Sequence, residues 1–513
     1  MTFAAELAAA RPQETALRDA DTALTWAEVD ERLRPAVNAL LAADLGPERR
    51  IAVFAENSVE TVLAYAAATL AGASAVPVNF HLTAEEAAYI LEDSGARAVL
   101  VDARTARSGL EAARRAGIDL VTGWSGAAEV EGVADWLALG AAAGSDEPPT
   151  DMAPLPTLVY TSGTTGRPKG TELPPTSFVG GADVAEHVHR LAGAGLAGYG
   201  RHLAVGPLYH SGPLTATRLF LGGAPVTVLG RFDAEAVLAA IDRDRVASAI
   251  MVPTHFQRLL ALPPEVRSRY DLSSLRYVLQ VGAACPAEVK RAMIEWWGPL
   301  LWESYGASEV GSTCRISSTE WLEHPGSVGR PVDPFDVFVV DESGAPVPAG
   351  VEGRLYFRDG SGRGIVYHRS GAADPGLPAG LAAPGTFTLG EVGYVDEAGY
   401  VYITDRFSDT VVSGGVNIYP AEAEQVLATH PAVAEVACIG VPHGEMGEQL
   451  KALVVPSDPA ARPDGAELVA FCRERLTHYK CPRSVEIVET LPRSAMGKLD
   501  KKALRVRYAA ASV

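Results

Sequence analysis

Apolar and polar positions give the chain two textures. Before about Gly326, helix-length segments with one apolar face alternate with short Val, Ile, Leu and Ala runs: 60–71 then 75–78, 84–93 then 98–101, 234–243 then 247–252. Strands covered on both faces are apolar throughout instead of alternating, so these runs predict βαβ units and a parallel sheet. From about Gly326 glycines punctuate shorter runs, and 337–340, 353–357 and 400–403 read as antiparallel strands. Beyond Asp405 a helix at 421–428, strands at 434–440 and 452–455 and a helix at 465–476 make a small α+β module. Segments 140–154 and 371–384, rich in Gly, Pro and Ala, read as loops. The stretch 61–80 carries no charge, yet Pro77 and its many Ala and Gly residues fit a buried helix followed by a strand better than a membrane span.

Composition sharpens this picture. At 513 residues the chain exceeds the length at which one core stops growing, so more than one domain is expected. With 48% hydrophobic and 21% charged residues it is globular and not disordered. Its net charge of −19 opposes nucleic acid and anionic lipid, so any phosphate site has to be assembled locally. The five cysteines, Cys285, Cys314, Cys438, Cys472 and Cys481, form no CxxC pair and read as reduced thiols. The first residues lack a basic leader and place Glu6 where a signal peptide is apolar, which with those thiols predicts a cytoplasmic protein. His187 and His189 stand as H-x-H without a third ligand at metal spacing, which argues against zinc.

Chemistry concentrates in Leu158-Val-Tyr160-Thr161-Ser162-Gly163-Thr164-Thr165-Gly166-Arg167-Pro168-Lys169-Gly170, an apolar strand opening into a loop of glycines, hydroxyls and cations. Backbone N–H groups of such a loop can wrap polyphosphate while Ser162, Thr164 and Thr165 donate hydrogen bonds and Lys169 adds charge. It lacks the glycine spacing and the Gly-Lys-Ser/Thr ending of a Walker loop. The stretch resembles the signature of the adenylate-forming enzymes, the family of acyl-CoA synthetases, firefly luciferase and peptide-synthetase adenylation domains. Seven further strings match that family in order: Pro207-Leu-Tyr-His210-Ser-Gly212, Tyr305-Gly-Ala-Ser-Glu309, Gly326-Ser-Val-Gly-Arg330, Gly393-Tyr-Val-Asp-Glu-Ala-Gly399, Asp405-Arg406, Ser413-Gly-Gly-Val-Asn417-Ile-Tyr-Pro-Ala-Glu422 and Pro492-Arg493-Ser-Ala-Met-Gly497-Lys498.

The resemblance implies an α/β fold: a large N-terminal domain of βαβ layers plus a small β-barrel-like part, 1–404, followed by a small mobile α+β C-terminal domain, 405–513, that rotates about 405–408. It implies an acid–thiol ligase that uses ATP, Mg2+ and CoA, activating a carboxylic acid as acyl-adenylate and passing the acyl group to the thiol. Lys498 then supplies the ammonium that lets two anions meet. Glu309 becomes the magnesium-contacting carboxylate with Thr164 beside it, and His210 the gate between carboxylate site and thiol tunnel. The nucleotide falls to Thr161, Ser162, Gly163, Thr164, Thr165, Gly166 and Lys169. Its base falls to Gly282, Ala283, Ala284, Tyr305, Gly306 and Ser308, and its ribose to Glu391 and Arg406. Ser413, Gly414 and Gly415 lie on the side of the CoA channel. Taken alone, Lys498 also reads as a solvated lysine beside Lys501 and Lys502, Tyr305 as a core aromatic, Glu309 as a helix-start acid and His210 as a structural histidine.

The chain departs from the family around the nucleotide. Glu391 stands where aspartate is usual, Ser408 occupies the hinge, Thr171-Glu172-Leu173-Pro174-Pro175 follows the phosphate loop, and Thr386-Phe387-Thr388-Leu389 replaces a more aromatic run. One extra methylene displaces an acceptor beyond bidentate tolerance, at about 1–3 kcal/mol. Two alternatives therefore stand beside the ligase: a variant with impaired adenylation that mainly thioesterifies a supplied acyl-adenylate, and a stand-alone adenylation enzyme that loads a carrier protein. Retention of Lys498 argues against a third, a non-catalytic binding regulator. The small residues around Phe178, Gly180, Gly181, Val281, Gly282, Gly306 and Ala307 admit a bulky apolar acid. No basic residue is placed to hold a second carboxylate, which disfavours a dicarboxylate. A homodimer is left open.

Overall fold

The computed structural model describes residues 3–161, 168–341, 343–372, 383–406, 409, 411–413, 416–418, 420–443, 447–476, 478–493 and 499–510; for 3, 196–197, 372, 405–406, 412, 416–417, 447 and 509–510 it describes the backbone alone. The chain divides into two compact units, Met1–Pro325 with Ile365–Ala373, and Gly326–Gly364 with Asp374–Val513.

The first unit carries the parallel sheets that the apolar runs predict. In one, Ser74–Pro77, Arg50–Phe54, Ala98–Val101, Leu120–Gly123 and Ala134–Asp135 lie side by side, all parallel. Arg50–Phe54, Ser74–Pro77 and Ala98–Val101 are buried along their whole length, which is why they are apolar apart from Arg50 and Ser74 at their starts. In the other, Leu301–Ala307, Tyr277–Gln280, Ser248–Met251, His202–Ala204, Val226–Val228 and Thr15–Arg18 run parallel. Gly311–Ser317 closes one side as an antiparallel partner of Leu301–Ala307.

The charge-free stretch 61–80 takes up helix Val59–Leu70 beyond Glu60, followed by strand Ser74–Pro77. Ser58 caps the helix by accepting from the Thr61 N–H at 3.1 Å, and packing on almost every side explains the absence of charge. Among the described residues no helix is long and apolar enough to cross a membrane. Segment 140–154 is only partly a loop, because helix Trp136–Ala143 takes its first residues. Gly140 is tolerated there since a Cβ would press on Pro35 at 3.3 Å.

In the second unit, Phe335–Val340, Gly353–Asp359, Glu391–Val395, Val401–Arg406 and Ser327–Pro331 form an antiparallel sheet. A further sheet holds Val416–Ile418, Val411–Ser413, Gly447–Pro456 and Val433–His443 antiparallel, with Ser484–Ile487 added parallel. Helices Pro420–Leu427 and Gly465–Arg473 pack buried faces on it, as the spacing predicts. Of segment 371–384, residues 373–382 lie outside the described residues, and Gly371–Ala372 pairs as a strand with Val366–Tyr367.

Candidate active site

The phosphate-loop motif closes a hairpin. Strand Leu158–Thr161 pairs antiparallel with Lys169–Glu172, Thr161 opposite Lys169, so both ends of the loop are fixed by a ladder. Leu158, Val159 and Tyr160 are buried, and the Tyr160 hydroxyl donates to Asp93 at 2.6 Å. Ser162, Gly163, Thr164, Thr165 and Gly166 lie outside the described residues. Lys169 holds its ammonium 4.9 Å above the Tyr367 ring. The segment carrying Tyr367 docks on the hairpin: the His368 N–H donates to Gly170 O at 2.7 Å and the Thr171 hydroxyl to Val366 O at 2.9 Å.

Glu309 occupies the tight turn between strands Leu301–Ala307 and Gly311–Ser317. A Cβ at Gly306 would collide with the carbonyl oxygen of Gly311, so the turn requires glycine there. From the turn Glu309 reaches the phosphate hairpin, where the Thr161 hydroxyl donates to its Oε1 at 2.8 Å across 148 residues of chain. Burial, and after it the Glu309 charge, raise the Tyr367 phenol above its usual range. Tyr367 thus lies under Lys169 and within the field of Glu309, a role its Val-Tyr-His context does not signal. Next to Glu309, Ser308 and Ser211 share a hydroxyl hydrogen bond of 2.7 Å. Ser211 opens helix Ser211–Leu221, whose N-cap is His210, with Tyr209 4.4 Å away ring to ring. Pro213 is tolerated in the first turn, where its missing N–H has no helical partner anyway. The structure therefore brings Thr161, Tyr305, Gly306, Ser308, Glu309 and His210 together on neighbouring segments.

Gly282, Ala283 and Ala284 follow strand Tyr277–Gln280, and Gly282 takes φ +86°. Gln280, buried, donates its amide to Ala283 O at 2.9 Å and so holds the turn. Behind it lies a closed ion pair: Lys290 is fully buried, donates to Glu303 and lies 4.8 Å over the Trp321 ring. Burial pushes the Cys285 thiol up to about 12, so it is unreactive at neutral pH.

A cavity of about 40 Å³ opens farther along helix Ser211–Leu221. Phe178 and Leu214 line it, as do His187, Thr217 and Arg218. His187 stacks on Phe178 with ring centroids 4.8 Å apart; burial holds its imidazole below the usual range, and the Arg218 charge pushes the same way. Burial lowers the Arg218 guanidinium to about 10. The sequence reading did not single out Arg218. Periodicity puts Leu214, Thr217 and Arg218 on one helical face but carries no sign that Arg218 lacks an acidic partner.

In the second unit Glu391 is 7% exposed and stands opposite Arg406 in the ladder of Glu391–Val395 with Val401–Arg406. The Arg406 side chain lies outside the described residues, as do Gly414, Gly415 and Lys498. Ser413 is buried and pairs with Gly447.

Residues 4–364 match the AMP-binding enzyme family and residues 422–498 the AMP-binding enzyme C-terminal domain. Feruloyl-CoA synthase from Amycolatopsis sp is 35% identical over 503 residues, covering 97% of this chain and 96% of its own. Among solved structures, o-succinylbenzoate CoA synthetase from Bacillus subtilis in complex with its acyl-adenylate intermediate is 27% identical with a TM-score of 0.78, covering 98% of each chain. The same synthetase in complex with ATP and magnesium ion is also 27% identical with a TM-score of 0.78, covering 99% of each chain. With both domains of the family in order along it, the chain belongs to the AMP-binding enzymes, and it is an ATP-dependent acid–thiol ligase that forms an acyl-adenylate and transfers the acyl group to CoA.

Proposed function

We propose that Thr161, Glu309 and the 162–168 loop hold the nucleotide's phosphates, with the acid lying along helix Ser211–Leu221 and its carboxylate near His210. The Thr161–Glu309 hydrogen bond carries this reading, because it joins the loop's strand to the one carboxylate of the Tyr305–Glu309 motif. Magnesium is commonly held by one or two carboxylates together with substrate phosphates, and a single glutamate beside a phosphate loop fits that donor set. When bound, the ion would neutralise phosphate charge.

The remaining barrier is the approach of two anions. At about 4 Å and an effective dielectric near 20 they repel by about 4 kcal/mol, roughly a thousandfold in rate. Lys498 supplies the cation. It belongs to a small domain, 405–513, that rotates about 405–408 so that the ammonium enters for adenylation and withdraws before the thiol arrives. Free CoA is the acceptor, in keeping with the Ser413-Gly-Gly string, and the acid is of the bulky size that a feruloyl-CoA synthase handles. The setting is cytoplasmic, in keeping with five cysteines that form no disulfide.

Glu391 supports a second reading, in which adenylation is the slower half-reaction. It is buried opposite Arg406, where one extra methylene cannot swing out into solvent. AMP formation from ATP and acid, measured beside thioester formation from preformed adenylate, tests both. Acid-dependent AMP and CoA thioester are expected, with the second half faster and Glu391→Asp lowering the KM for ATP about tenfold. No AMP from any acid and no thioester from any adenylate would overturn the ligase reading; an unchanged KM in the variant would overturn the role of Glu391.

A further inference from the structure

Helix Ser211–Leu221 links two chemically different ends of one site. At its start, Ser211 bonds Ser308 beside Glu309. Arg218 lies eight residues beyond His210, about 12 Å at 1.5 Å per residue. Segment 176–178 runs in the same direction: the Thr176 hydroxyl donates to Val310 O at 2.9 Å, whereas Ser177 and Phe178 line the cavity. Both segments therefore run from the surroundings of Glu309 to the cavity.

Two of its polar groups are unmatched. Among the described residues no Asp or Glu pairs with Arg218; its Nε is buried without an acceptor, and so is the Thr217 hydroxyl, in a residue 5% exposed. Two other cations of this unit do meet acids within the fold: Lys290 meets Glu303, and Arg50 meets Glu48 and Glu172. A guanidinium out of water without a counter-ion is unfavourable, and it is answered best by a planar anion that accepts two parallel N–H bonds. A volume of about 40 Å³ admits one group of carboxylate size but no second ring.

We propose that the substrate is a dicarboxylic acid: one carboxylate is activated near His210, and the second, roughly 10 Å away, is received by Arg218 with the Thr217 hydroxyl donating to the same group. This rests on the acid-activating reading of the site and names its substrate class.

The test pairs acids of equal length, nonanedioic with nonanoic and 4-carboxycinnamic with cinnamic. The full chain is assayed for AMP formation with ATP and Mg2+, and acid binding is measured separately by calorimetry. Wild type is expected to favour each dicarboxylate in kcat/KM and in affinity by about tenfold or more. Arg218→Met is expected to bring that ratio near one, with Arg218→Lys intermediate and Thr217→Val lowering it severalfold. Thermal unfolding establishes that each variant is folded, and the Lys and Val variants decide the matter should the Met variant not fold. Equal preference in wild type, or a ratio unmoved by substitution, overturns the proposal even where AMP forms normally. Failure of every acid to yield AMP overturns the ligase reading instead, while the calorimetric ratio still decides for or against the dicarboxylate.

Discussion

Two cations of the larger unit, Lys290 and Arg218, have opposite surroundings. Lys290 has no exposed surface, and its ammonium is spent on Glu303 and the Trp321 ring. Arg218 lines a cavity with no acid among the described residues to answer it. The difference teaches how to tell a structural charge from a receptive one. A charge closed within the fold specifies packing, whereas a charge that faces a void is completed by something that enters. A third kind is a cation that comes and goes, the role proposed for Lys498.

That third kind gives the largest expected effect. Lys498→Ala removes the group that offsets about 4 kcal/mol of repulsion, so acid-dependent pyrophosphate release falls about a thousandfold, while thioester formation from preformed adenylate is retained. Loss of both half-reactions alike would show that the ammonium does more than bring the anions together. Next comes the closed pair. Lys290→Met leaves Glu303 buried without its counter-ion and lowers unfolding free energy by about 3–5 kcal/mol in urea titrations. Lys290→Met with Glu303→Leu recovers much of that loss, because no charge is then stranded.

A buried base that carries no charge sharpens the comparison from another side. Burial pushes His202 down to about 3, and its Nδ1 lies 3.0 Å from the Ser248 hydroxyl. The native imidazole stays neutral while the unfolded one takes a proton below about pH 6.5. Stability is therefore whole above that pH and falls below it, by up to about 1.4 kcal/mol per pH unit, until the native ring also protonates near pH 3. His255, depressed to about 4 by burial and then Arg258, acts with the same sign. Denaturant titrations between pH 7 and 5 check this, and His202→Asn is expected to flatten the slope. The smallest effect is on the stability of Arg218→Met. With no partner stranded, unfolding free energy changes by less than about 1 kcal/mol, in contrast to Lys290→Met. A loss as large as that of Lys290→Met would mean that Arg218 is structural after all.

Much of the fold was legible along the chain. Segments 98–101 and 84–93 appear as strand Ala98–Val101 and helix Ala84–Ser94, because a strand buried on both faces has no choice but to be apolar and a capped helix starts with Thr83 and Glu86. Helix Trp136–Ala143 escaped the reading because Gly140 and a run of alanines look like a loop until Pro35 is found against them. In the site, Glu309 and Thr161 stood out within local strings, yet the bond between them did not. Tyr367, Gln280 and the Lys290–Glu303 pair were silent, since each works through a neighbour remote in sequence.

By itself the sequence determined the family chemistry: a loop of glycines and hydroxyls, a Tyr-Gly-Ala-Ser-Glu turn and a terminal Gly-Lys carry their meaning in adjacent residues. The tertiary structure alone decided which charges are answered. Whether a cation is neutralised depends on what the fold brings within a few ångströms of it, and Arg218 reads no differently in sequence from the arginines whose partners were already waiting.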